Sequence, residues 1–407
     1  MEDRDSDIVV TGLGAVAATG RSREEFWKAL VEGESGIRPL GLFDPSRYRT
    51  QTAAWIDDST LDVSFLSREE RERSSRADRF GLLAAREAVA DSGLDLSQLD
   101  PTRLAVVLGS GACGLIEAEP WFERRALHGR PGRPSAIASH GPDFVTNRVA
   151  SHLGAEGIRS TVVTACSSST LSVGQAADLL RAGLADVAVT GGSDSLARLT
   201  YGGFNSLRAV DPDPCRPFDR ERKGLSIGEG AGILVLERAG DARRRGAHVY
   251  ARIAGYGATS DAYHMTAPEP SGEAAARTLR SALASARIEP EAVDYINAHG
   301  TATPHNDSAE GAGVHRVFGE RAARLPISSI KSMVGHCLCS AGAIEAVATC
   351  LTVERGVLPP TLRWSEGDPG LALDVVPNEA REMRVRTALS NSFAFGGNSA
   401  CLVFSAY

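Results

Sequence analysis

The chain has 407 residues, enough at roughly 150 residues per domain for two or three domains, and for a core that needs neither disulfide nor metal to hold it. Its 44 Lys and Arg stand against 51 Asp and Glu, a net charge of −7, which argues against nucleic acid or an anionic membrane as the main partner. Forty-two glycines with only 6% aromatic residues point to tight turns and close backbone approaches rather than to a β-sandwich.

The first seven residues are acidic and polar, so neither a signal peptide nor a basic transit segment is expected. No apolar run approaches the ~18 residues of a membrane span. Residues 8–10 read as a strand, and Gly12-Leu13-Gly14-Ala15-Val16-Ala17 as its glycine-rich exit. Residues 23–32 have helical character, and Phe80, Leu83, Ala84 and Ala88 recur at helical spacing up to a stop at Gly93. Residues 104–108 form a buried strand, whereas 124–133, basic with Pro and Gly, read as an exposed loop. A strand at 160–164, a helix at 167–182 stopped by Gly183 and a strand at 187–190 make a β-α-β unit. The same grammar returns at 293–296, 307–318, Ile327 and 341–355. Such alternation predicts a layered α/β fold. Seven cysteines, an odd number without a secretory signal, fit the reduced thiols of a cytoplasmic protein.

Four stretches compete as chemistry. Gly12 to Ala17 has dinucleotide-fingerprint spacing, but no second strand with a terminal acid follows in range. Gly224-Leu225-Ser226-Ile227-Gly228 has the spacing of a hydrolase elbow, yet charged residues precede it and a strand follows, the reverse of what an elbow needs. His336-Cys337-Leu338-Cys339 is a poor zinc pattern and fits core packing better, so no metal is expected. The strongest is Cys166, after a strand and at the start of a helix, where the macrodipole and free N–H groups lower a thiol pKa. Two histidines, His299 and His336, each lie in a glycine-flanked loop after an apparent strand end. A cysteine and two histidines so placed form a candidate nucleophilic site.

At these residues the chain resembles the condensing enzymes of the thiolase fold, and among them the β-ketoacyl-acyl-carrier-protein synthase II family. The carriers are Thr164-Ala165-Cys166-Ser167-Ser168, Arg216-Pro217-Phe218-Asp219, Gly228-Glu229-Gly230-Ala231-Gly232 and Ser260-Asp261-Ala262-Tyr263-His264-Met265-Thr266. Asn297-Ala298-His299-Gly300-Thr301-Ala302-Thr303, Ser332-Met333-Val334-Gly335-His336 and Asn391-Ser392-Phe393-Ala394-Phe395-Gly396-Gly397 complete the series. The resemblance spans essentially the whole chain.

It implies a thiolase-like five-layered αβαβα fold of two related halves, residues 1–250 with the nucleophilic cysteine and 251–407 with both catalytic histidines. It implies acyl carrier protein as partner, with substrates on its phosphopantetheine and no separate cofactor, and a dimer of two copies or with a chain-length-factor-like ketosynthase. Cys166 would take the acyl chain, and malonyl on a second carrier would lose CO2 and attack it to give a 3-oxoacyl-carrier protein. His299 and His336 would donate N–H to the enolate oxygen. The backbone N–H groups of Cys166 and Phe395 would form the oxyanion hole. Lys331 and Glu345 match the polar support that orients the histidine pair. Thr301 and Thr303 match residues bonding the phosphopantetheine arm. Ala112, Phe393 and Glu345 are expected on the substrate side, and Arg208 matches a carrier-contacting arginine, joined by Arg124 and Arg125 near the entrance. His264 and His305 carry no such match and are read as structural or exposed.

Ala394 stands where the family carries Gly, Asn398-Ser399 where Thr-Asn is common, Ala112 where a bulkier residue is frequent, and Cys337 and Cys339 where Leu or Thr and Gly are usual. These departures bear on substrate range. The rival readings are a non-catalytic chain-length factor, which would lack the nucleophile, and a hydrolase at Ser226. Within the condensing class, fatty-acid elongation competes with a polyketide or polyene pathway.

Overall fold

The computed structural model describes residues 4–130, 132 and 134–407. Its first half runs β1 Ile8–Ala17, α1 Arg76–Ser92, β2 Leu104–Gly109, α2 Phe144–His152, β3 Arg159–Val162, α3 Ser168–Arg181, β4 Val187–Asp194 and β5 Gly230–Arg238. The second runs β6 Ala251–Ser260, α4 Glu273–Ala286, β7 Tyr295–Asn297, α5 Pro304–Phe318, β8 Pro326–Ser328, α6 Ala341–Arg355, β9 Asp374–Val375, β10 Thr387–Phe393 and β11 Asn398–Ser405.

The strand order is β9-β8-β7-β10-β11-β6-β1-β5-β4-β2-β3. Within it β3, β2 and β4 are parallel, with β5 and β1 antiparallel beyond them. In the second half β8, β7 and β10 are parallel, with β11 and β6 antiparallel beyond them. The two halves therefore repeat one topology, and only the edge strand β9 has no counterpart. α1 and α2 cover the outer face of the first half, α4 and α5 that of the second, and α3 with α6 touch strands of both. Five layers result, helix, sheet, helix, sheet, helix. Buried from Ala341 through Val353, α6 reads apolar or small all round apart from Glu345, as suits a helix between two sheets.

Local signals explain the elements. Ser75 and Asp78 form a capping box that starts α1, and Gly93 ends it in the left-handed region at φ 65°. The glycines at 12 and 14 are no strand exit, because β1 continues to Ala17. They are small because α1 lies on them. A Cβ at Gly12 would come within 2.1 Å of the Ala88 carbonyl oxygen, and one at Gly14 within 2.0 Å of that of Ala84. The join between halves is equally local. β1 pairs with β6 only at Val9–Arg252 and Val10–Ala251. Beyond that point the N–H groups of Leu13 and Ala15 donate to Asp91 and Glu87 of α1, so the ladder stops and the two sheets diverge.

One further expectation changes. Arg124 and Arg125 lie on a helix, Leu115–His128, not in a loop. Only Ala118 of that helix is buried, so it offers almost no apolar stripe to read. Pro131 and Arg133, at the end of the same segment, lie outside the described residues. Among the described residues no helix is long and apolar enough to cross a membrane.

The close approach of α1 to β1 predicts that Gly14→Ala lowers unfolding free energy by about 3 kcal/mol in a denaturant titration. Gly203→Ala, in a helix with nothing within 4 Å of the added methyl, raises it by about 0.5 to 1 kcal/mol.

Candidate active site

The candidate nucleophile, Cys166, sits on a strained turn. Past the end of β3, Ala165 takes a left-handed φ of 53°, uncommon for a residue with a side chain. Two serines hold it. Ser168 Oγ accepts from Thr164 N at 2.9 Å and donates to the Ala165 carbonyl at 2.6 Å, and Ser167 Oγ donates to the Thr164 carbonyl. Cys166 is left 7% exposed at the head of α3. Its own backbone N–H and that of Phe395 both act to lower its pKa, as N–H groups near a sulfur do. These are the two groups expected as an oxyanion hole. The thiol itself differs from expectation. Burial pushes it up to about 11, against the opposing pull of Lys331 and the two N–H groups, so it rests as a thiol.

His299 follows β7 as expected, and two of its neighbours' polar groups fix it. Its N–H and that of Gly300 donate to the two oxygens of Glu310, at 2.9 and 2.8 Å. Lys331 Nζ lies 3.2 Å from His299 Nδ1, donates to the His299 carbonyl at 2.6 Å, and pairs with Glu345. An ammonium offers only donors, so Nδ1 accepts and the ring proton is on Nε2. His336 does not follow a strand directly. The short helix Lys331–Val334 and Gly335, at φ 67°, intervene after β8. Leu338 N donates to its Nδ1 at 3.0 Å, which again places the proton on Nε2.

The two imidazoles stand perpendicular with centroids 5.5 Å apart, and one nitrogen of each lies with Cys166 Sγ inside a 4.8 Å triangle. Burial, then the charge of Lys331, holds His299 well below the ordinary histidine range and His336 down to about 3. Two neutral N–H donors thus face one thiol. A thiol and two imidazoles can also ligate a soft metal. Here the buried ammonium and the converging N–H groups favour negative charge instead. Elsewhere in the interior, Asn297 Oδ1, Glu345 Oε2, Ser390 Oγ and Asn391 Oδ1 are buried with no hydrogen-bond partner among the described residues.

A cavity of about 420 Å³ opens onto the triad. Thr301 and Thr303 line it with their hydroxyls 2.9 Å apart, as do Phe393, Phe395 and Arg208. Phe204 stacks between His336 and Phe395, at centroid distances of 6.4 and 5.8 Å. Exposed Arg208 and Lys223 rim the mouth with His264 and His305. His264 also accepts from the N–H of Thr266 and Ala267 through Nδ1.

Some expected residues lie elsewhere. Glu345 does not line the cavity; it is buried behind Lys331, and burial lifts its carboxyl to about 7. Ala112 is not on the wall either. It packs in the apolar cluster that Phe204 shares with Leu338 and Tyr201. Arg124 and Arg125 are exposed but do not line the mouth. Ser226 is buried, and its hydroxyl accepts from Cys215 N, a structural task. Glu310, Phe204 and Lys223 were not anticipated. The signal for Glu310 is its spacing, since Asp307, Glu310, Gly311 and Val314 share the buried face of α5.

Two family models match the chain, the beta-ketoacyl synthase N-terminal domain over residues 5–242 and the C-terminal domain over residues 250–365. The 3-oxoacyl-[acyl-carrier-protein] synthase 2 of Staphylococcus aureus (strain COL) is 38% identical, with 98% of each chain covered. Among solved structures, the ishigamide ketosynthase/chain length factor is 36% identical with a TM-score of 0.94, covering 98% of this chain and 99% of that one. A type II PKS acyl-carrier protein in complex with its ketosynthase bound to the hexaketide is 33% identical with a TM-score of 0.91, at the same coverage.

Because burial depresses the folded-state pKa of both imidazoles, they stay neutral as pH falls through about 6.5, where an ordinary histidine gains its proton. In a histidine-selective NMR titration from about pH 8 to 5, the His299 and His336 signals stay fixed; a chemical-shift change of either ring with a midpoint near about 6.5 would contradict the burial argument.

Proposed function

The chain belongs to the β-ketoacyl synthase family, and on that premise we propose that it joins a Cys166-bound acyl group to malonyl-acyl-carrier protein with loss of CO2, giving 3-oxoacyl-carrier protein. The observation that carries this reading is the pair of neutral Nε2–H imidazoles beside a buried thiol.

The steps follow from the geometry. Cys166 sulfur attacks the carbonyl of a carrier-bound thioester, and its proton leaves with the departing phosphopantetheine thiol. The negative oxygen formed on the way is met by the N–H groups of Cys166 and Phe395. Malonyl thioester then enters by the same mouth. As CO2 leaves, the electrons of the broken C–C bond pass to the thioester carbonyl oxygen, where the N–H groups of His299 and His336 stabilise the enolate. Its carbon attacks the Cys166 thioester, and the sulfur leaves as thiolate. Lys331 and Glu345 act by holding His299, while Thr301 and Thr303 bond the phosphopantetheine arm.

Arg208 and Lys223 at the mouth fit an acidic carrier, and the relatives include a ketosynthase in complex with its acyl-carrier protein. We take residues 1–250 and 251–407 as the two halves. The edge strand β3 has no partner on its outer side among the described residues, and Val163 just beyond it is 54% exposed, which suits pairing with a second chain. That chain is a second copy or a chain-length-factor-like ketosynthase. A non-catalytic partner subunit would have no use for the thiol and two oriented imidazoles. Seven free cysteines, all buried, fit a reducing cytoplasm, and the substrates arrive on carrier phosphopantetheine without a further cofactor.

Intact mass after incubation with acyl-carrier donors tests the nucleophile. Wild type gains one acyl group and Cys166→Ala gains none, while Cys166→Gln retains malonyl decarboxylation without condensation. Acylation of Cys166→Ala would sink the assignment.

Charge reversal at Arg208 raises the apparent KM for carrier-bound substrate about tenfold at low salt and much less at high salt, because the contact is exposed and screened. Initial rates at two ionic strengths measure it. An unchanged KM at low salt would remove Arg208 from the docking surface.

A further inference from the structure

Asp194 ends β4 with no exposed surface, and among the described residues no cation pairs with it. Its carboxylate accepts backbone N–H groups instead. Oδ1 takes those of Ala112 at 2.9 Å, Cys113 at 3.0 Å and Ser195 at 3.0 Å, and Oδ2 takes that of Cys339 at 3.2 Å. Three separate stretches converge on one side chain: the turn after β2, the end of β4 and the segment after His336. A buried carboxylate is tolerated when such donors replace its water, although burial still lifts this one to about 6.

Two of those stretches hold non-glycine residues in the left-handed region, Cys113 at φ 36° and Leu338 at φ 54°. Such residues persist when their surroundings over-determine them. Leu338 supplies the N–H that occupies His336 Nδ1, and the next N–H along, that of Cys339, is the one Asp194 grips. The packing leaves no slack. A Cβ at Gly111 would sit 2.4 Å from Cys339 Sγ and 3.3 Å from Asp194 Oδ2.

We propose that Asp194 is the positioning residue for His336, gripping Cys339 N–H so that Leu338 keeps its turn and the His336 proton stays on Nε2, facing the cavity. The same carboxylate carries the Ala112–Cys113 turn, so that turn and the imidazole hang from one anchor. The assignment rests on the condensing reading for its consequence, since an imidazole with the wrong tautomer would present an acceptor to the enolate oxygen. The tautomer itself can be read without any turnover.

The test uses the full-length protein with histidines labelled by nitrogen-15, together with separate assays of Cys166 acylation and malonyl-carrier decarboxylation. In wild type the His336 Nδ1 signal has the unprotonated position. In Asp194→Asn a protonated Nδ1 population appears, and decarboxylation falls about tenfold or more while acylation changes less than about twofold. If Asp194→Asn does not accumulate as folded protein, Asp194→Glu, whose longer arm displaces the carboxylate, gives the same two readouts. An unaltered tautomer, or both half-reactions falling by one factor, overturns the proposal. A wild type that neither acylates nor decarboxylates would instead refute the condensing reading, and the nitrogen spectrum would still judge Asp194.

Discussion

A buried ammonium organises the site. Lys331 is 1% exposed, and taking such a charge out of water costs several kcal/mol unless partners replace its hydration. Glu345, the His299 carbonyl and His299 Nδ1 replace it. Each partner is changed in turn. Nδ1 becomes an acceptor, the imidazole proton is sent to the cavity side, and burial, with the ammonium's charge added to it, keeps both rings from charging. The same field works against the burial that raises the Cys166 thiol. Remove the ammonium and Glu345 is left as an isolated buried acid in the layer between the sheets.

That layer explains why the ammonium can be held so tightly. α3 and α6 face sheets on both sides, so small residues dominate where they approach. A Cβ at Gly342 of α6 would lie 1.9 Å from the Thr170 hydroxyl of α3, and one at Gly232 of β5 2.5 Å from the backbone of Ala343. Interiors packed at this density transmit displacement instead of absorbing it. Cys166 stands just before α3, and Glu345 lies on α6, so contact between the two helices bears on the distance between these residues.

The layered architecture was legible because alternating apolar strands and capped helices announce themselves. Phe80, Ala84 and Ala88 share a buried face, and Gly93 stops the helix they share. What escaped was information carried by another element. Gly12 and Gly14 look like a loop until α1 is laid across them. Leu115–His128 has almost no buried face, so its arginines resemble a loop. At the candidate site, the grouping of Cys166, His299 and His336 could be anticipated by type and setting, but the thiol's protonation could not. Helix position argues for a lowered pKa, and desolvation, a property of the assembled layers, outweighs it. Glu310 was hidden differently: an acid on a helix reads as solvated until its apolar neighbours show that its face is inward.

The repeated topology has a consequence for how such a protein can change over generations. Corresponding connections in the two halves supply opposite chemistries. The β3–α3 link of the first half carries Cys166, while its counterpart, β8–α6, carries Lys331 and His336. The β2–α2 link begins with the Ala112 turn, while its counterpart, β7–α5, carries His299 and the two threonines. An ancestral unit, once doubled, could thus let one copy drift toward accommodating different chains while the other kept the proton donors. Neither copy could then be lost without breaking the cluster, because Cys166 stands in one and His299 and His336 in the other.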